Sequence, residues 1–205
     1  MAGSHSYPKQ HTVWEEWPSA QSKGGGEVHK VMLYGNEDIT LDRPLIISYS
    51  GNTHRITQGI QTATGGDWCE IHPWQPYPMV FLKLLHQVKW EVESRYYPRL
   101  LPVSHSPRSY SMIFVGSPNW CGTIAPPLAS QLHQNDLSGK IILPFYSHCG
   151  GVSSDLRQDI ARLCPKADVR EALGVIDDGG DGLKAILQQW FARTGIADTR
   201  SVRDG

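Results

Sequence analysis

The run Leu45-Ile46-Ile47 empties into Ser48-Tyr49-Ser50-Gly51-Asn52-Thr53, and no other stretch restricts the fold as much. A short, apolar, β-branched segment predicts a strand buried on both faces, which is the kind found in parallel sheets. Behind the turn, Ile56, Ile60 and Ala63 recur at helical spacing, so the turn joins a strand to a helix. The first amides of that helix have no intrahelical partner and point into the turn with the positive end of the helix dipole. With the hydroxyls of Ser48, Ser50 and Thr53 beside them, the junction can hold a single terminal phosphate without a metal ion. A serine-rich helix cap with no ligand is the plainer reading of the same string.

Other phosphate loops fail on spacing. A Walker loop needs a Gly-Lys-Ser/Thr four residues after its first glycine, and none occurs. The dinucleotide fingerprint needs Gly-x-Gly-x-x-Gly, whereas this turn holds only Gly51.

The strand and helix alternation continues along the chain. Asp67 opens a second strand through His72, and a proline-rich bend over residues 73–78 leads to a longer helix with Phe81, Leu84, Leu85, Val88 and Val92 on one face. Residues 110–116 form a third, near-continuous apolar strand. Ala125-Pro126-Pro127 then starts a helix with Leu128 and Leu132 facing inward. Residues 141–146 are the fourth strand, and Ser153 or Ser154 caps a helix carrying Leu156, Ile160 and Leu163. Residues 169–176 are the fifth strand, followed by a last helix that buries Leu183, Ile186, Leu187, Trp190 and Phe191 and ends at Gly195. Five strands alternating with helices predict an α/β fold, a parallel sheet covered on both faces. Ligands of such sheets bind at the carboxyl ends of the strands where the strand order reverses, which singles out the loops after strands one, three and four.

The loop after the third strand reads Gly116-Ser117-Pro118-Asn119-Trp120-Cys121-Gly122-Thr123, an aromatic ring on a Pro and Gly hinge suited to stack on a flat heterocycle. The loop after the fourth reads Ser147-His148-Cys149-Gly150-Gly151, where two glycines let backbone amides approach a ligand closely. The order Ser-x-Ser-Gly-Asn-Thr, Gly-x-Pro-Asn-Trp-x-Gly-Thr and Pro-Phe-x-Ser-His-x-Gly-Gly, followed by a helix ending Leu-Cys-Pro, resembles a flavodoxin-like family of FMN proteins found mostly in bacteria. The likeness spans roughly residues 44–195.

The resemblance implies a three-layer sandwich with a five-stranded parallel sheet in the order 2-1-3-4-5. It assigns the FMN phosphate to Ser48, Ser50, Gly51, Asn52 and Thr53. It sets the isoalloxazine between Pro118, Asn119, Trp120, Cys121 and Gly122 on one side and Ser147, His148, Cys149, Gly150 and Gly151 on the other. Trp120 then stacks on the ring, and a backbone carbonyl of residues 119–122 or of Gly150 accepts a hydrogen bond from the reduced flavin. Tyr77, in the bend of residues 74–78, is within reach of the flavin rim. No side chain is assigned a catalytic role and no metal is expected.

Residues 1–43 differ from the rest. They are polar, contain Gly24-Gly25-Gly26 and show no sustained period, yet hold Trp14 and Trp17. They read either as a disordered extension or as an arm anchored by its tryptophans on this domain or a second subunit. The flavodoxin-like domain is expected over residues 44–197 and a tail over 198–205. The formal net charge of −1 argues against nucleic acid as a partner and departs from the strong acidity usual in flavodoxins. Four cysteines without paired spacing read as reduced thiols, which points to the cytoplasm, and no stretch is long and apolar enough to insert in a membrane. His148-Cys149 resembles the start of a phosphatase loop, but the place of its arginine is taken by Asp155, with Arg157 two residues late.

Two functions follow from the resemblance. One is an oxidoreductase that passes electrons from NAD(P)H to a quinone or similar acceptor. The other is a one-electron carrier that meets a redox protein. A flavin-free binding module on the same fold is a third reading, and a homodimer is compatible with all three.

Overall fold

The computed structural model describes residues 44–49, 52–150 and 154–196, all within the compact unit Glu37–Gly205. The expected extension over residues 1–43 and the tail over residues 198–205 lie outside the described residues.

The strands are β1 (Leu45–Ser48), β2 (Asp67–Glu70), β3 (Met112–Pro118), β4 (Ile141–His148), β5 (Asp168–Val169) and β6 (Leu173–Ile176). The helices are α1 (Thr53–Thr64), α2 (Phe81–Ser94), α3 (Pro126–His133), α4 (Leu156–Leu163) and α5 (Leu183–Thr194). The sheet is parallel, in the order β2-β1-β3-β4, with β5 and β6 sharing the place beyond β4. This is the expected 2-1-3-4-5 order. Registers such as Ser48 with Gly116 and Pro118 with Ser147 bring the ends of β1, β3 and β4 to one rim.

Period-two alternation divides the core between two faces. Leu45, Ile47, Ile113, Val115 and Ile142 pack with Leu128 and Leu132 of α3 and Leu156 and Ile160 of α4. On the other face Ile46, Phe114, Leu143 and Phe145 pack with Ile56 and Ile60 of α1 and with Leu183, Leu187, Trp190 and Phe191 of α5. Each such fully buried side chain stabilises the fold by about 1.5–3 kcal/mol.

The expected fifth strand is interrupted. The carbonyls of Val169 and Arg170 accept from the Arg157 guanidinium, and that of Glu171 accepts from the Trp190 indole. Asp168 and Arg170 donate their amides to β4, as Asp177 does beyond β6, so the facing residues change from even to odd across the gap while these side chains hold the backbone of residues 169–171. Across the gap stands Pro144 of β4, which has no N–H to donate. The longer helix also departs from expectation, because of its predicted stripe only Val88 is fully buried, together with Glu91. Phe81 and Leu82 stay 70% and 66% exposed. Trp74 and Trp90 are both 41% exposed.

Candidate functional site

At the β1 end, Ser48 is buried and its hydroxyl accepts a hydrogen bond from the Trp68 indole at 3.1 Å. Thr53 opens α1, is also buried, and donates its hydroxyl to the Tyr49 carbonyl at 2.8 Å. Asn52 is the exposed helix cap, its side chain makes no capping hydrogen bond, and the first turn of α1 has no acidic residue. The amino end of this twelve-residue helix therefore keeps its positive potential. Ser50, Gly51 and Gly151 lie outside the described residues.

His54 and Arg55, the next two residues of α1, have partners of their own. Arg55 pairs with Asp178 at 3.0 Å and donates to the Gly180 carbonyl, which ties α1 to the loop after β6. The Gly180 amide, followed by Arg55, holds the Asp178 carboxyl below its ordinary pKa. His54 lies edge-on to Trp68.

At the β3 end the chain makes a tight turn. Trp120 and Thr123 exchange backbone hydrogen bonds in both directions, and the two residues between them have positive φ, 55° at Cys121 and 83° at Gly122. That is the geometry of a primed turn, natural for glycine and strained for cysteine. Asn119 donates its amide to the Ser147 carbonyl at 2.9 Å, so this loop is tied to β4. Its side-chain oxygen is buried and has no hydrogen-bond donor among the described residues. An orphaned acceptor of this kind fits a planar ligand that presents an N–H group.

Trp120 is held by two tyrosines. Its ring meets Tyr49 at 5.3 Å and Tyr77 at 5.2 Å, both edge-on, and the tyrosines meet each other at 6.2 Å. The bends after β1, β2 and β3 are thereby joined through one aromatic cluster. Behind it, the Tyr77 hydroxyl donates to Glu91 at 2.5 Å, and Gln87 donates to the other carboxylate oxygen. Glu91 is 2% exposed. Burial raises its carboxyl pKa against the opposing pull of these two hydrogen bonds, and burial with the Glu91 contact raises the Tyr77 phenol.

At the β4 end, Ser147 is buried. The His148 ring nitrogen Nδ1 accepts from the Gly150 amide, and the His148 carbonyl accepts from Asp177. Cys149 is exposed, like Cys121, while Cys69 and Cys164 are buried and all four are free thiols. Burial pushes the Cys164 thiol up to about 11. Arg157 is taken up by the backbone of β5, so it gives the His148-Cys149 loop no phosphatase arginine. No cluster of metal-ligating side chains occurs among the described residues.

Every described residue of the predicted site thus lies on one rim of the sheet. Tyr49 and Glu91 were not singled out in the sequence. Tyr49 sits inside the serine motif and was legible there as an aromatic at a strand end. Glu91 carried no signal, since a charged residue at that place in a helix reads as solvent-facing. A trough of about 530 Å³ borders the Cys121–Thr123 turn and is lined also by Arg95, Tyr96 and Asp155.

The flavodoxin family model matches residues 45–193. The chain belongs to the flavodoxin family. No curated protein sequence matches it. Among solved structures the chain is similar to a protein from Bacteroides eggerthii assigned as a flavoprotein, at 20% identity and a TM-score of 0.66, covering 76% of this chain and 99% of that one. A second such protein, from Bacteroides uniformis, is 20% identical with a TM-score of 0.63, covering 71% and 97%. A flavoprotein from Lactobacillus acidophilus, solved in complex with FMN, is 18% identical with a TM-score of 0.54, covering 72% and 97%. At these identities the likeness is one of fold. No described helix of this flavodoxin is long and apolar enough to cross a membrane.

Proposed function

We propose that this chain binds FMN at the rim formed by β1, β3 and β4 and works as an oxidoreductase, taking electrons from NAD(P)H and passing them to a quinone or similar acceptor. The observation that carries the reading is the contact of Tyr49 with Trp120, which joins the hydroxyl-rich turn to the aromatic loop. The phosphate falls to Ser48, Ser50, Gly51, Asn52 and Thr53, at the positive amino end of α1, whose first turn carries no acidic residue. The ring system falls between residues 118–122 and 147–151. Bound FMN supplies the reversible redox chemistry. Trp120 contributes a stacking face kept rigid by Tyr49 and Tyr77, and the buried Asn119 oxygen, which has no donor among the described residues, gains one. The Cys121–Gly122 pair, with positive φ at both residues, would offer its backbone to the bound group.

The trough beside the same turn favours an enzyme over a pure carrier, since it offers room for a small molecule next to the cofactor loop. Free thiols at all four cysteines agree with a reducing, cytoplasmic setting. Stopped-flow mixing of the FMN-loaded protein with NADH and with NADPH tests the assignment. Rapid bleaching of the flavin by either supports the reductase. An unreacted flavin that is reduced only by a redox protein assigns the carrier role instead.

A further inference from the structure

Residues 73–82 contain no Asp, Glu, Lys, Arg or His; in sequence they run between His72 and Lys83, and the Arg99 guanidinium lies over the Trp74 ring at their start. The inner side of this segment is Tyr77 against Trp120. Its outer side is apolar and exposed, with Met79 at 100%, Val80 at 57%, Phe81 at 70% and Leu82 at 66%, extended one turn along α2 by Leu85. Large apolar side chains exposed together at the start of a helix are costly to leave in water, and patches of this kind are often functional.

We infer that this face joins two copies of the chain in an isologous dimer. Weighted by exposure, the five side chains present on the order of 450 Å² of apolar surface. A standard interface needs about 800 Å² from each partner, of which a little over half is apolar, so the patch supplies the whole apolar core. Lys83 and His86, both exposed, and the Lys89 and Glu93 pair further along α2 supply a polar rim. Two copies meet with little repulsion because the chain carries a net charge of only −1. A transient, electrostatically steered redox partner would call for charge at the centre of the contact, and there is none. A self-matching apolar centre instead suits a lasting twofold contact. The inference is independent of the FMN assignment.

Light scattering on the full chain after size exclusion gives the test. The expected mass is twice the 22.9 kDa of one chain at micromolar concentration. The double variant Phe81→Glu with Leu82→Glu is expected to run at the single-chain mass, with dissociation at least about 100-fold easier and an unchanged circular dichroism spectrum. A photo-crosslinking side chain at position 79 of the otherwise native protein is expected to yield a covalent dimer, which keeps the question open to test if the double variant fails to fold. A native chain that stays at single-chain mass at every concentration overturns the inference, as does a folded double variant that remains dimeric.

Discussion

Trp120 is fixed by two edge-on tyrosine contacts, each worth about 0.5–1.5 kcal/mol beyond the area it buries. Trp120→Ala should therefore lower stability by about 2 kcal/mol in denaturant titrations and weaken FMN binding at least tenfold in fluorescence titrations. Glu91 makes a different claim. Its carboxyl has a raised pKa, so between the ordinary carboxylate range and that raised value the folded chain holds a proton that the unfolded chain has lost. Stability should fall as pH rises through that window. Glu91→Gln keeps an acceptor for Tyr77 and removes the titration, so it should flatten the dependence in denaturation series run across that window. An equally steep profile in both proteins would show that Glu91 does not titrate there.

Gly116 shows how closely the elements pack. It ends the core part of β3, and a methyl group placed on it would meet the Phe145 ring of β4 at 2.2 Å. Gly116→Ala should cost about 2 kcal/mol of stability by thermal or chemical unfolding and loosen the loop that follows. The strands themselves were legible, because buried parallel strands are short apolar runs bounded by turn residues. So was the helix end at Gly195, which is in the left-handed conformation. The break between β5 and β6 was not, since it depends on Arg157 and Trp190 reaching backbone carbonyls from other elements. The exposure of Phe81 and Leu82 was hidden for the opposite reason, as periodicity reports an apolar face and does not say what covers it.

Over the whole molecule, the three motifs after β1, β3 and β4 pointed to one rim because parallel connectivity sends alternate loops there. Distant couplings such as Tyr77 with Glu91 or Arg55 with Asp178 required the fold. With a net charge of −1, association with charged redox partners should change less than about threefold between low and physiological salt, measurable by stopped-flow kinetics. The central claim is that the rim holds one flavin mononucleotide, and titration of the purified protein with FMN, followed by the visible absorption of the flavin, tests it most directly. The account predicts saturation at one FMN per chain with a clear change in the flavin band and weaker uptake by Trp120→Ala. A flavin spectrum that stays identical to that of free FMN, however much protein is present, would contradict it.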